Sequence, residues 1–307
     1  MKKRGKLPWQ HPKSIKEEPK AKELLEKIFN SPSYKPSIED VDFLKSDETR
    51  GLRLQLDYLK PELIMKEHGI KHTVVVFGSA RIKEPKTAID ELEKIRRKLE
   101  KEPSSKELLK ALKNAEKMVE KSIYYEEARE FGKLVGRAGK GPHDNTLIIM
   151  TGGGPGIMEA ANRGAYEVGA KSIGLNIQLP HEQYPNPYIT PSLCFQFHYF
   201  AIRKLHFLHR ACALVVFPGG YGTLDELFET LTLIQTAKND PIPVVLIGKE
   251  YWSGLIDFKL MVEEGTIDPE DLNIFTYKEN AREAWSYILK WYEKRGLSLF
   301  NDEGGKK

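Results

Sequence analysis

The chain has only two cysteines in 307 residues, Cys194 and Cys212. They show neither metal-ligand spacing nor a disulfide framework, so both read as small buried hydrophobes in a protein of a reducing compartment. Long apolar runs are also missing. No stretch reaches the ~18 residues that a membrane span requires, and the basic start Met1-Lys2-Lys3-Arg4 leads to Pro8, Gln10, His11 and Pro12 instead of an apolar core. A cytoplasmic protein that spans no membrane is therefore expected. Nor is there much charge of one sign. The 48 basic and 44 acidic residues leave +4, too little over this length to imply a nucleic-acid partner. No lysine sits in a recognisable pyridoxal phosphate motif. His198, His206 and His209 are spaced by 8 and 3, which is not a metal set, so core or surface roles are expected for them and neither metal nor cofactor is. Internal repeats and low-complexity linkers are absent from the sequence.

What the chain does have is glycine placed directly after apolar runs. Ala213-Leu214-Val215-Val216-Phe217 leads into Pro218-Gly219-Gly220-Tyr221-Gly222-Thr223-Leu224-Asp225-Glu226, and then into a stretch with helical spacing. Leu147-Ile148-Ile149-Met150 leads into Thr151-Gly152-Gly153-Gly154-Pro155-Gly156 and Ile157-Met158-Glu159. A fainter third case ends Val74-Val75-Val76-Phe77 at Gly78-Ser79-Ala80-Arg81. One such turn needs glycine for conformational reasons alone. Three in one chain point to a shared crevice, because ligands of open α/β sheets bind beyond the carboxyl ends of parallel strands. Glycine lets the backbone approach a ligand, and a helix N-terminus favours an anion such as phosphate.

Further strand candidates at 146–150, 172–176, 213–217, 243–247 and 272–275 alternate with helices, the last of them at about 280–294. The pattern predicts an α/β fold, a Rossmann-like doubly wound parallel sheet with an N-terminal helical extension. The expected organisation is a basic arm and helices over 1–71, a ligand-binding sheet domain over 72–295, and a tail over 296–307. In the arm, Ala21 to Phe29 reads as a helix, and Pro61 is expected to kink or break the leucine-rich helix around it. Residues 83–121, with 21 charged side chains of 39, read as an inserted helical hairpin: Ala88, Leu92, Ile95 and Leu99 repeat at helical spacing, as do Leu108, Leu112, Ala115 and Val119. Ser104-x-x-Glu107 is the expected capping box of its second arm, and a solvated excursion is the plainer reading of so much charge.

Two residues carry the chemistry. A carboxylate at Glu226, in the first turn of a helix, is favoured by the dipole but repelled by a phosphate, so it faces another part of the ligand. Arg203 offers a planar fork of donors toward phosphate or sugar oxygens. A first-turn helix acid and a structural ion pair are the plainer alternatives for these two residues. Tyr184, Tyr188, Phe195, Phe197 and Tyr199 read as core or subunit-interface aromatics in preference to a base-stacking set, and His181-Glu182-Gln183 reads as a loop at the crevice edge.

Gly152-Gly153-Gly154-Pro155-Gly156-Ile157-Met158-Glu159 and Pro218 to Glu226, with Arg203-Lys204 ahead of the second motif, resemble the LOG-like proteins over roughly residues 72 to 292. These are nucleoside 5'-monophosphate phosphoribohydrolases long mislabelled as lysine decarboxylases. The resemblance implies a Rossmann-like sheet in a homodimer or higher homo-oligomer, with hydrolysis of the N-glycosidic bond of AMP-like nucleotides to free base and ribose 5-phosphate. Plant members release cytokinins in this way. It also implies that Arg203 and Glu226 are catalytic, and that Gly78, Ser79, Gly153, Gly154, Gly156, Glu159, Lys204, Gly219, Gly220, Gly222 and Thr223 bind the small-molecule nucleotide. Where short members carry Met-His-x before the arginine, this chain has Phe200-Ala201-Ile202, and the hairpin is additional, as in the longer bacterial-type branch. The alternative reading is a non-catalytic nucleotide or molybdenum-cofactor carrier on the same fold, which retention of both Arg203 and Glu226 disfavours.

Overall fold

The computed structural model describes residues 11–138, 146–180 and 184–297. Packing of the backbone divides the chain into a first unit that ends at Leu56 and a second that begins at Asp57. His181-Glu182-Gln183 and most of the expected tail lie outside the described residues.

In the first unit, α1 (Ala21–Phe29) has the expected bounds. The short α2 (Val41–Lys45) starts at Asp40, whose carboxylate accepts the Phe43 N–H. At its other end Arg53 donates to the carbonyls of Leu44 and Ser46 and to the Thr49 hydroxyl, which satisfies acceptors that a helix terminus leaves open. The helix α3 (Arg50–Glu67) begins in the first unit and continues into the second through Pro61, so of the expected kink or break the break does not occur. Proline costs it one backbone hydrogen bond, but the turn containing Pro61 is held by its surroundings: Met65 is fully buried, and Glu62 receives two hydrogen bonds from Arg210 at 2.5 and 2.6 Å.

The second unit is built on seven parallel strands: β1 (His72–Phe77), β2 (Leu147–Thr151), β3 (Ser172–Ile177), β4 (Cys194–Phe197), β5 (Ala211–Val216), β6 (Val244–Ile247) and β7 (Phe275–Lys278). Their order in the sheet is β4-β3-β2-β1-β5-β6-β7, and every neighbouring pair is parallel. The helices between them are α4 (Pro85–Lys101), α5 (Lys106–Lys121), α6 (Ile123–Ala138), α7 (Ile157–Glu167), α8 (Phe200–His209), α9 (Tyr221–Gln235), α10 (Lys249–Leu255), α11 (Phe258–Glu263) and α12 (Ala281–Glu293). Successive strand residues enter opposite cores, as the two-residue period requires. Val74, Val76, Ala213 and Val215 meet α6, α7 and α12, while Val75, Phe77, Leu214 and Val216 meet α3, α8, α9, α10 and α11. Helices therefore cover both faces of a doubly wound, Rossmann-like sheet.

Three local expectations are corrected. The strand β4 was not expected; its run is short and carries an exposed Gln196 between buried phenylalanines. The last strand lies at Phe275–Lys278, not 272–275, because Asp268 and Asp271 cap a 3-10 turn over Pro269–Asn273. The hairpin α4–α5 is present, but Ser105, one residue past the expected cap, accepts the Leu108 N–H.

The tightest contact in the unit is between α6 and α7. A Cβ on Gly164 would lie 1.9 Å from the Arg129 carbonyl oxygen, and one on Gly132 would lie 2.2 Å from that of Ala161. Because a backbone oxygen cannot swing aside, Gly164→Ala forces the helices apart. The expected result is a loss of about 2 kcal/mol in urea unfolding, within the range for overpacking. An unchanged midpoint would show that the helices separate at no cost.

Candidate active site

The chain leaves β1 for one half of the sheet and returns at β5 beside it, so the strand order reverses between these two strands. That is the switch point at which α/β sheets open a crevice. The turns meet there through backbone hydrogen bonds: Ser79 N–H to the Pro218 carbonyl at 3.0 Å, Ile157 N–H to the Ser79 carbonyl at 3.2 Å, and Phe217 N–H to the Phe77 carbonyl at 2.8 Å. They enclose a cleft of about 600 Å³. A second depression of about 600 Å³, lined by Ala211 and Ile242 among others, lies at the amino ends of β5 and β6, the wrong end of the sheet for ligands.

Of the residues expected to bind or catalyse, Gly78, Ser79, Arg203, Gly219, Gly220, Gly222, Thr223 and Glu226 line the cleft. Gly153, Gly154, Gly156, Glu159 and Lys204 do not. Gly153 and Gly156 adopt φ of +72° and +73°, and side chains there would strike Asn176 and the backbone of Ser79–Ala80. Gly154 offers its carbonyl to Asn186 at 3.1 Å, and Glu159 accepts from the Tyr125 hydroxyl at 2.7 Å. These residues build the wall from behind. Gly220 and Gly222 differ from them, since a Cβ on either would meet nothing within 4 Å. The fold does not need glycine at these two positions.

Glu226 is buried, 4% exposed, in the second turn of α9 and not the first as expected, because the helix begins at Tyr221 and its first turn holds no acid. Burial raises its carboxyl to about 7, against the opposing pull of Lys204 and Arg203. Lys204 Nζ is 3.7 Å from the Glu226 carboxylate, and it also meets Asp225 at 2.9 Å and Glu229 at 2.7 Å. It is a cation already shared among three acids. Arg203 is different. Burial pushes its pKa down, and its Nε is buried with no hydrogen-bond partner among the described residues. Its guanidinium carbon lies 4.7 Å from the Phe200 ring and 5.6 Å from the Phe207 ring, contacts that fix the fork without satisfying its donors. A buried orphan donor on a cleft wall is a group awaiting an acceptor.

Supporting residues invisible to motif reading hold these groups. Asp57 accepts the N–H groups of His198 and Tyr199 at 2.8 and 2.9 Å, anchoring the backbone just before α8, the helix that carries Arg203. Thr151, Asn162 and Asn186 form a buried network behind Gly153 and Gly154. Tyr251, from α10, lines the cleft and donates to the Gly219 carbonyl at 2.7 Å. Asp57, Asn186 and Tyr251 reach turns far off in sequence, whereas Thr151 stands in the glycine motif itself and accepts the Gly153 N–H two residues on.

Among the described residues, no three histidine, cysteine or acidic side chains converge on one point. His206 is buried, stacks on Tyr58 at 5.1 Å and meets the Tyr58 carbonyl, while His198 and His209 are exposed. Phe195 and Phe197 are core residues, and Tyr184 is 74% exposed.

A family model described as "Possible lysine decarboxylase" matches residues 158–288. A cytokinin riboside 5'-monophosphate phosphoribohydrolase of Arabidopsis thaliana is 30% identical over 168 residues, 53% of this chain and 73% of that protein. A probable enzyme of the same name from Oryza sativa subsp. japonica is 30% identical over 161 residues, 52% of this chain and 67% of that protein. Among solved structures, the molybdenum cofactor carrier protein of Chlamydomonas reinhardtii aligns with 18% identity and a TM-score of 0.41, over 72% of this chain and 97% of that one. The motifs, the sheet that presents them and the plant relatives agree: the chain belongs to the LOG family of phosphoribohydrolases.

Proposed function

We propose that the chain is a nucleoside 5'-monophosphate N-glycosidase that releases free base and ribose 5-phosphate from AMP-like purine nucleotides. The observation that carries this reading is Glu226, a carboxyl group buried on the cleft wall one turn from the N-terminus of α9. The uncapped N-terminus of α9, at Gly220, suits the 5'-phosphate, and Arg203 suits phosphate or ribose oxygens. With the phosphate held there, C1' faces Glu226. Breaking the ribosyl C–N bond sends its electron pair out with the base and leaves positive charge on the sugar, which the carboxylate stabilises. Water then adds its oxygen to C1' and yields a proton to Glu226, which releases it to solvent, and the departing base takes up one proton from solvent, so that nucleotide plus water gives free base plus ribose 5-phosphate. The plant relatives whose names specify riboside 5'-monophosphates support this substrate class.

Incubation with AMP, GMP, IMP and CMP, followed by mass spectrometry for free base and ribose 5-phosphate, tests the proposal. Intact nucleotides after long incubation would overturn it. The pH profile tests the role of Glu226. A carboxylate that must be ionised gives kcat/KM rising about tenfold per pH unit up to about 7 and level above it. If activity instead falls above 7, Glu226 acts as an acid.

We also propose a cytoplasmic homodimer or larger homo-oligomer. Tyr221 on the cleft rim and Phe200 against Arg203 are 93% and 49% exposed, and Leu205 in the second depression is 46% exposed, which supports self-association. A monomeric mass in sedimentation would count against it.

A further inference from the structure

The inserted hairpin has no assigned role, and the end at which it joins α6 touches a residue that lines the cleft. Lys121, the last residue of α5, places Nζ 4.7 Å from the centroid of the Tyr251 ring. Three residues on, Tyr124 packs against the turn that precedes α10, where a Cβ on Gly248 would lie 2.4 Å from the Tyr124 hydroxyl. Gly248 adopts φ of +84°, so this close approach and the left-handed turn both require glycine. Tyr251 is further fixed by an edge contact to Trp252, with ring centroids 5.2 Å apart. Trp252 is fully buried and donates to the Ile247 carbonyl at 2.9 Å.

The Tyr251 hydroxyl ends on the Gly219 carbonyl at 2.7 Å. In a trans peptide, the carbonyl of one residue and the N–H of the next point in opposite directions. Fixing the Gly219 carbonyl therefore fixes where the Gly220 N–H points, and Gly220 is the N-cap of α9. Two adjacent glycines give this peptide plane little intrinsic preference, so an outside hydrogen bond has unusual leverage over it.

We propose that Tyr251 is a positioning residue for the anion-binding turn, locking the Gly219–Gly220 peptide in its ligand-ready orientation, and that the hairpin holds Tyr251 in place through Lys121. The proposal rests on the nucleotide reading of the cleft and adds to it the part played by the insertion. Lys121 acts at a distance: its cation attracts the ring face and keeps the hydroxyl on its carbonyl.

The test is Tyr251→Phe, which keeps the ring and the cation contact and removes one hydrogen bond. AMP and ribose 5-phosphate binding, measured by calorimetry, should weaken about tenfold, equivalent to about 1.4 kcal/mol. KM should rise by the same factor with kcat within threefold of wild type, and the melting temperature should stay within a degree. A purely structural role would move the melting temperature and spare the KM-against-kcat split. Lys121→Ala should weaken binding two- to threefold in the wild-type background and have no effect in Tyr251→Phe. Equal binding by wild type and Tyr251→Phe would overturn the lock. A Lys121→Ala effect that persists undiminished in Tyr251→Phe would overturn the relay and make Lys121 a direct ligand contact. If wild type binds neither AMP nor ribose 5-phosphate, the functional reading falls and this inference falls with it.

Discussion

Glu226→Gln is expected to lower kcat by about 10²–10⁴, the usual range for removing a positioned acid or base, while leaving the affinity for AMP within a few-fold of wild type. The asymmetry follows from timing. In the proposed reaction, positive charge on the sugar exists only as the C–N bond breaks, so the carboxylate would stabilise the transition state more than the bound nucleotide. Glutamine keeps the shape and removes the charge. Single-turnover kinetics with equilibrium binding of AMP separate the two quantities, and parallel losses in both would deny Glu226 a role confined to the chemical step.

The same substitution should stabilise the fold, and the sign is fixed by the direction of the shift. The Glu226 carboxyl lies at about 7 in the folded protein against 4.5 in the unfolded chain. The folded state thus prefers the protonated form, and wild-type stability drops as pH rises from 4.5 to 7, where only the unfolded chain ionises. Above 7 both states are ionised and the cost is constant, roughly 3 kcal/mol from the size of the shift. Glutamine never ionises. Glu226→Gln should therefore gain under about 1 kcal/mol at pH 5 and roughly 3 kcal/mol at pH 8. A variant that turns over more slowly and unfolds later is expected where a charge is kept buried for catalysis.

Much of this site could be read from the chain because its parts are local. A strand, its glycine turn and the next helix are contiguous in sequence, so the strand ends at Phe77, Thr151 and Val216 announced where the cleft would open. Glu226 stood out as an acid where an anion was expected. What could not be read was which glycines serve the fold and which face the ligand, since Gly219 and Gly220 are neighbours with opposite surroundings. A Cβ at Gly219 would lie 2.1 Å from Thr223 Oγ1, while one at Gly220 would meet open space. The difference exists only once the backbone is folded. Asp57, Asn186 and Tyr251 escaped notice because each acts on a turn 32 or more positions away. At Pro61 the break that a local rule allows is outweighed, for the same reason, by the burial of Met65 and the pairing of Glu62.

Gly220→Val should abolish high-affinity binding without unfolding the protein. At Gly220 the backbone, with φ −97° and ψ −150°, is extended and open to any residue, and the new side chain would project into the cleft. Valine is a poorer N-cap than glycine, so a stability loss of up to about 1 kcal/mol is expected. The binding loss is larger. An anion held at the start of α9 accepts charge-assisted hydrogen bonds contributing roughly 1.5–3 kcal/mol each, and two branched methyl groups in its path remove several at once. KM for AMP should rise by about 10² or more, and inhibition by inorganic phosphate should disappear with it. The control is Gly78→Val, at a glycine that also lines the cleft but whose Cβ would lie 2.6 Å from the Ile157 side chain. That variant should lose stability as well as binding. If Gly220→Val binds AMP like wild type, the phosphate does not sit at the start of α9, and the position of C1' opposite Glu226 has to be sought elsewhere in the cleft.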